Sequence, residues 1–245
     1  MSSIVIIGSN LVGLLTADIL SKNNSVIIIE PDLELGFPAN YPGRAESNQT
    51  IDEILYNENK NNLFLLEIEG FTNFRSEWFS KLLTHKLAKN NVTIMNRSRV
   101  SSINEVGKKL EVSIQGSEIN NSQIVCDTVI DFSESSFSII GNSQHEYHSK
   151  SSKIIKPKLS TMQYFVGTCL LEDSYELQNF NLKLPRKDDL VEIWFEIGRE
   201  EEPKHGWIES KTVHAYYDSK LMLLEDYYSC LLYTSPRPRD VRSSR

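Results

Sequence analysis

The amino-acid sequence predicts an α/β protein in two parts, a parallel sheet entered through a βαβ unit and, after it, an antiparallel sheet. Three observations carry this. "SIVIIGSNLVGLLTADIL", residues 3–20, passes from an apolar run through a turn into a helix-spaced segment, and "SVIIIEPD" follows as a second apolar run. Continuous β-branched runs suit strands buried on both faces of a parallel sheet. Glycines stand at 8 and 13, on either side of the turn. Beyond residue 160 the strands become alternating and aromatic, the pattern of an antiparallel sheet.

Taken in order, "IVII" is the first strand, and Leu11, Leu14, Leu15 and Ile19 lie at helical spacing in a helix over 11–21. The second strand runs from Ser25 to Glu30 and is ended by Pro31, which completes a Rossmann-like βαβ unit. Residues 32–62 carry Gly36, Pro38, Pro42 and Gly43 and are expected to be irregular. A loop of that length in a compact domain is usually functional or disordered. A helix is predicted from Ser76 to Lys89, with Trp78, Phe79, Leu82, Leu83 and Leu87 on one face, and "VTIMN" is the next strand. "SRVSSINEVGKKLEVSI" reads as a hairpin turning near Gly107, and "SQIVCDTVIDF" as one strand entering the sheet. Basic, serine-rich "HSKSSKIIKPK", residues 148–158, marks a crossing between domains. "MQYFVGTCLLE", "VEIWFEIG", "HGWIES" and "TVHAYYD" are then antiparallel strands with one solvated or ligand-facing side. The expected organisation is a nucleotide-type domain over 1–150, a substrate domain over 151–229 and a tail over 230–245.

The chain has 245 residues, 40% hydrophobic and 24% charged, enough for a real core. The formal net charge is −7; the tail carries +3, which leaves −10 for the remainder. A body that acidic repels a nucleic-acid backbone. No apolar run reaches the ~18 residues of a membrane span. The N-terminus lacks a basic segment and cleavage site, so no secretory leader is expected. Cys126, Cys169 and Cys230 have no metal-binding spacing and read as free thiols in a reducing compartment; no metal is expected. These features together point to the cytoplasm, with peripheral membrane contact left open. The tail "CLLYTSPRPRD" resembles the translation of a transposon-type sequencing adapter. It is read as non-native, against the alternative of an ordinary disordered basic tail, and on that reading the natural gene is expected to continue past Ser229.

The turn after the first strand is the candidate phosphate site. In a dinucleotide fold the first glycine permits the tight turn, the second lets the backbone approach a pyrophosphate, and the third lets helix and strand pack closely. Gly8 and Gly13 occupy the first and third places, and Asn10 stands at the second. The helix opening at Leu11 offers free N–H groups and a partial positive charge to phosphates. Glu30, 22 residues after Gly8, ends the second strand where a carboxylate accepts from a ribose. The competing reading is a ligandless βαβ unit in which both glycines serve packing and Glu30 is a solvated strand end. An awkward backbone at Asn10 would cost about 1–2 kcal/mol, against about 8 kcal/mol in a micromolar complex. Weakened binding without its loss is expected, with the Asn10 amide able to donate to a phosphate.

Four segments over residues 3 to 211 together resemble the flavoprotein group of geranylgeranyl reductases, p-hydroxybenzoate-hydroxylase-type monooxygenases and lycopene cyclases. They are the Gly8–Gly13 turn with Glu30; "LGFPANYPGR", similar to G-x-P-x-x-C-x-G through Gly36, Pro38 and Gly43, with Tyr41 at the frequent cysteine; "FRSEWFSKLLTHKLAKNNVTI"; and "CDTVIDFSESS". "KHGWIESK" is a fainter echo through Gly206 and Trp207. The resemblance implies FAD as cofactor, NAD(P)H among the candidate electron donors, and a small apolar substrate, with isoprenoids among the candidates, that is reduced or hydroxylated. It places Arg75 near the flavin's phosphates and gives Asp131, Ser133 and Ser136 counterparts, with Glu134 replacing a glycine. The group's late G-D-A segment is absent before Ser229 and is expected beyond it.

Trp194, Phe195, Trp207, Tyr216 and Tyr217 are candidates for lining an apolar substrate, against a plain core role. His205 and His214 are candidate acid–base residues. No Ser/His/Asp elbow is present and no catalytic residue is assigned. Two other readings stay open: a degenerate paralogue that keeps the fold and binds a ligand or partner without redox turnover, and a nicotinamide-only dehydrogenase. The sequence does not set the oligomeric state.

Overall fold

The computed structural model describes residues 1–116, 122–133, 151–157, 161–218, 220–221 and 223–226, with side chains undescribed at 216–218 and 220–221. In chain order the elements begin with β1 (Ser3–Ile7), α1 (Leu11–Ser21), β2 (Ser25–Ile29), β3 (Arg44–Ala45), α2 (Asn48–Ile54), β4 (Leu66–Ile68), β5 (Phe71–Asn73) and α3 (Ser76–Lys89). They continue with β6 (Thr93–Met95), β7 (Ser98–Val106), β8 (Lys109–Gly116), β9 (Ser122–Cys126), β10 (Thr128–Asp131) and β11 (Ile154–Ile155). The last are β12 (Thr161–Leu170), β13 (Leu182–Pro185), β14 (Leu190–Glu196), β15 (Glu209–Asp218) and β16 (Lys220–Leu221).

A five-stranded parallel sheet has the order β11-β10-β1-β2-β6. Alternate residues of its central strands serve two cores. Ile4, Ile6, Val26, Ile28 and Ile130 pack with Leu11, Leu14 and Leu15 of α1 and Phe79, Leu83 and Leu87 of α3. Val5, Ile7, Ile29 and Val129 pack on the other face against Val100, Leu110, Val112 and Ile114 of the β7-β8-β9 sheet. Burial on both faces is why these strands carry no polar alternation.

The chain moves outward from the centre in one direction, β1 to β2 to β6, and then returns to add β10 and β11 on the other side. In open sheets of this kind the place where the strand order reverses leaves a crevice at the carboxyl ends of the strands, and ligands bind there.

The second five-stranded sheet is antiparallel, in the order β13-β14-β12-β15-β16. One face carries Tyr164, Val166, Trp194, Val213 and Ala215, and the other Cys169, Val191, Ile193 and Phe195, all buried. Cover of the second face is partial, as expected of a sheet with one solvated or ligand-facing side: Gln163, Thr212 and His214 are exposed on it. Lys211 Nζ meets Glu77 Oε1 of α3 at 2.5 Å, Asn73 Nδ2 donates to Pro185 O at 3.1 Å, and Lys187 N donates to Phe64 O at 3.1 Å.

Four local expectations change. The 32–62 segment contains α2, because Ser47 accepts from Thr50 N and Ile51 and Ile54 are buried. "SQIVCDTVIDF" forms two strands: Asp127 Oδ2 accepts from Ser3 N at 2.9 Å, and the chain steps there from the β7-β8-β9 sheet into the parallel sheet. Within the 148–158 segment, β11 is the edge strand of that parallel sheet. "HGWIES" is mostly a turn, with Gly206 at φ +78°, leading into one long strand, β15. Glu134, Ser136, Cys230 and the 230–245 tail lie outside the described residues. Cys126 and Cys169 are free and buried. Among the described residues no helix is long and apolar enough to cross a membrane.

Candidate functional site

The crevice at the carboxyl ends of β2, β1 and β10 is a cleft of about 320 Å³. Its floor is Gly8, Ser9 and Asn10; Glu30, Pro31 and Asp32 form one flank and Phe132 and Ser133 the other. Gly36, Phe37, Pro38 and Asn40 make a third wall, and Thr212, Val213 and His214 of β15 close the far side. Asn40 Nδ2 donates to the His214 carbonyl at 3.2 Å, tying the last two walls together.

The turn depends on its two glycines. Gly8 sits at φ +88°, and a Cβ there would lie 3.0 Å from Ser133 N. A Cβ on Gly13 would lie 2.5 Å from the Gly8 carbonyl oxygen, a separation real Cβ atoms do not show, so α1 can approach β1 only with glycine there. Glu30 is 7% exposed. Its Oε2 accepts from Ser9 N at 2.7 Å and its Oε1 from Asp32 N at 3.1 Å, and Ser9 Oγ accepts from Gly36 N at 2.9 Å. An ionised carboxylate has about four lone-pair sites, so these two bonds orient Glu30 at the cleft wall and leave acceptor capacity.

Asn10 differs from its sequence-based reading. Its φ of −58° and ψ of 170° are ordinary for any residue, so the expected backbone strain is absent. The side chain is the N-cap of α1: Oδ1 accepts from Gly13 N at 2.9 Å. Nδ2 donates to Phe132 O at 3.2 Å, so the amide expected to be available to a phosphate already serves the segment that follows β10. The first helical N–H groups lack intrahelical partners; Asn10 occupies that of Gly13.

The other predicted contacts lie away from the cleft wall. Leu11 is a core residue at 1% exposure. Arg75 precedes α3, where its N–H donates to Leu63 O at 2.9 Å, and it is not among the residues lining the cleft. Asp131 is buried beneath the cleft; its Oδ1 accepts from Ser133 N at 2.9 Å and from Ser133 Oγ, and Oδ2 lies 3.5 Å from Lys156 Nζ. It shapes the turn that covers Gly8.

Trp194 and Phe195 are core, at 1% and 0% exposure, and Trp207 packs across Gly167, where a Cβ would meet its ring at 2.3 Å. None of the three lines the cleft. Tyr216 and Tyr217 fall among the residues whose side chains are not described. Of the two histidines only His214 lines the cleft; His205 Nδ1 is 2.8 Å from Asp173 Oδ1, outside it. Sequence reasoning missed Ser9, Asn40 and Phe132. Ser9 carried a signal, a hydroxyl inside the glycine turn; the others were brought in by long-range packing.

A buried polar cluster joins α3 to the antiparallel sheet. Trp194 Nε1 donates to Glu192 Oε1 at 2.7 Å, and Arg186 Nη1 lies 4.0 Å from Glu192 Oε2. Burial first, and the Glu77 charge second, hold the Glu192 carboxyl above the usual range. Burial also pushes Glu77 up, but the charge and hydrogen bond of Lys211 more than offset it, and its carboxyl ends below the usual range. Tyr41, at the position where the resemblance often has cysteine, is buried with its hydroxyl 2.8 Å from Ser76 O and Ser80 Oγ, and burial raises its ionisation above the usual phenol.

No family model matches the sequence, and no curated protein matches it. Solved structures do match the fold. p-Nitrophenol 4-monooxygenase PnpA from Pseudomonas putida DLL-E4 superposes with a TM-score of 0.57 at 12% identity, covering 88% of this chain and 69% of its own. The flavin-dependent halogenase CmlS gives 0.53 at 14%, covering 88% and 50%. A flavoprotein/dehydrogenase from Cytophaga hutchinsonii gives 0.53 at 14%, covering 87% and 66%. The chain thus has the α/β fold of these flavoproteins and monooxygenases, with a Rossmann-like parallel sheet and antiparallel sheets. It spans about half the length of several of the structures it matches, 52% of AlpK among them.

Proposed function

We propose that the cleft binds the ADP half of FAD and that the chain belongs to an FAD-dependent oxidoreductase acting on a small apolar substrate, with NAD(P)H as the electron donor. One observation carries this reading: the buried Glu30 carboxylate, fixed by Ser9 N and Asp32 N, faces a cleft floored by the glycine turn. A nucleotide places its ribose and phosphates against that pair of features. The close approach of Gly13 to Gly8, which any side chain would block, fits the group.

Gly8, Ser9 and Asn10 would hold the diphosphate and Glu30 the ribose, with the amides at the opening turn of α1 supplying positive potential. When bound, the isoalloxazine ring supplies the redox chemistry, and the protein contributes placement and exclusion of water. Thr212–His214 of β15 bring the antiparallel sheet to the same cleft, so the 151–229 part is the natural side for a substrate. The resemblance in "LGFPANYPGR", whose Gly36, Phe37, Pro38 and Asn40 line the cleft, supports an apolar substrate and leaves reduction and hydroxylation as the two reaction classes.

Titration with ADP and with FAD tests the reading. Binding of both, weakened about tenfold or more by Glu30→Gln, is expected, since an amide loses an acceptor aimed at ribose. No binding of either at about 1 mM, an affinity limit near −4 kcal/mol, sinks it.

Asn10 favours a second reading, in which the fold binds a nucleotide-like ligand or partner without redox turnover. Its Oδ1 takes the Gly13 N–H that a phosphate would otherwise use. Equal affinities for ADP and FAD, with no flavin reduced by NAD(P)H, would favour it.

A further inference from the structure

A second polar cluster lies apart from the cleft, where the chain leaves β12 and where it enters β15. Glu172 and Asp173 follow β12, with Asp173 opening a 3₁₀ turn over Asp173–Tyr175, and His205 lies in the turn before β15. One ligand atom from each of the three lies within 4.8 Å of the others. Asp173 Oδ1 is 2.8 Å from His205 Nδ1. The Asp173 side chain is only 4% exposed, and its Oδ2 is buried with no hydrogen-bond partner. A charged oxygen taken out of water without a partner is unfavourable, and natural structures rarely leave one so.

Both loops are already fixed by their backbones. Ser174 N and Oγ both donate to Leu171 O, at 3.2 and 2.6 Å, and Leu171 N donates to Asp189 O at 3.0 Å. On the other side Gly206 N donates to Pro203 O at 2.8 Å and Ile208 N to Thr168 O at 2.8 Å. The donor atoms are therefore brought together before any ion arrives. With a neutral imidazole the three groups carry two negative charges, a match for one divalent cation. The nearby Lys183 is engaged, donating to Ser174 O at 2.7 Å.

We propose that Glu172, Asp173 and His205 form a binding site for a divalent transition-metal ion of the Zn²⁺ class. One imidazole with two carboxylates suits a borderline ion, and Ca²⁺ demands six to eight oxygens. Metal–ligand bonds of about 2.0–2.2 Å set tetrahedral ligand separations of about 3.3–3.6 Å. The Asp173–His205 contact has only to open slightly, and the exposed Glu172 side chain swings in to close the third edge. Binding at His205 Nδ1 needs that lone pair free, with the neutral imidazole's one proton on Nε2, so protons compete with the ion and affinity rises with pH. Water fills the fourth position. Held this way, the ion pins the end of β12 to the approach of β15, two residues from Trp207, which packs on Gly167.

The test uses the full chain, free of any affinity tag, titrated with Zn²⁺ by calorimetry at neutral pH alongside His205→Gln, Glu172→Gln and His85→Gln. His205 and Glu172 are exposed, so these changes leave folding intact, which circular dichroism checks; His85 is an exposed residue of α3, apart from the site. One Zn²⁺ per chain is expected, weakened about tenfold or more by either site variant and unchanged by His85→Gln. A Zn²⁺-dependent rise in Tm should vanish with the two site variants. Absence of binding, binding that both site variants leave unchanged, or binding of Ca²⁺ in preference to Zn²⁺ overturns the proposal.

Discussion

Replacing Asn10 by glycine separates the two duties of the glycine turn. In the folded chain Asn10 Oδ1 caps α1 through Gly13 N, and Nδ2 donates to Phe132 O. Asn-to-Gly at an N-cap costs only a few tenths of a kcal/mol, and losing the second hydrogen bond costs about 0.5–1.5 kcal/mol. The backbone angles are ordinary, so no strain is released to compensate. A net loss of about 1–2 kcal/mol lowers Tm by about 2–8 °C for a chain of this size. Binding moves the other way. The Gly13 N–H becomes available to a phosphate, and a hydrogen bond to a charged group contributes about 1.5–3 kcal/mol, which is about ten- to a hundredfold in affinity. ADP is the ligand to use, since it tests the turn without the flavin ring. Calorimetric titration of both proteins, with thermal melts followed by circular dichroism, reads both quantities. Because the two effects have opposite signs, loss of fold cannot imitate the gain. An ADP affinity in Asn10→Gly that stays within about twofold of the parent, well under the factor of ten that 1.4 kcal/mol gives, or that weakens, refutes the assignment of this turn to phosphate.

Three further outcomes follow from the same structure. Gly13→Ala puts a methyl group 2.5 Å from the Gly8 carbonyl oxygen; α1 must shift, at about 1–3 kcal/mol, and both Tm and ADP affinity should fall together. Glu192→Gln should change how stability varies with pH. The raised carboxyl binds its proton more tightly folded than unfolded, so its contribution is full below the ordinary 4.5 and is lost as pH rises through the raised value. The parent should therefore lose stability relative to Glu192→Gln as pH rises, measured by urea unfolding at several pH values; a flat difference would contradict it. Burial pushes the Cys126 and Cys169 thiols up to about 11, so alkylation followed by peptide mass analysis should label both only after unfolding.

How far the sequence could be read tracks how local each feature is. The α1 and α3 bounds, Leu11–Ser21 and Ser76–Lys89, follow from apolar spacing along a few turns, and the two apolar strands beside them follow from composition alone. The split at Asp127 carries no such mark: the Asp-Thr pair between "IVC" and "VI" contains neither glycine nor proline, and the distant Ser3 N makes Asp127 a step between sheets. β13 was missed because "LKLP" is short and charged, and it becomes a strand by pairing with β14. The aromatic strands suggested a ligand face because alternation shows that two faces differ in composition. It does not say what covers each: Trp207 packs on Phe165 and Phe195 over part of one face, and the exposed Thr212 and His214 of the same face reach the cleft.

The cleft shows the same division within a few residues. Gly8, Gly13 and Glu30 announce themselves by spacing, since each acts through its own backbone or its position at a strand end. Asn10 does not, because a side chain at that place can point outward to a ligand or inward to cap a helix. The choice falls to the N–H of Gly13 and the carbonyl of Phe132, which is 122 residues away. The far wall is more remote still: Asn40 reaches His214 across 174 residues. The glycine-turn half of the cleft is thus encoded locally and the opposing half by long-range packing. Substitutions near Gly8 should therefore act on the nucleotide, and substitutions at Asn40 or in Thr212–His214 should act on whatever the second half receives. A change at Asn40 that altered ADP affinity as strongly as one at Gly13 would show that the two halves are a single site.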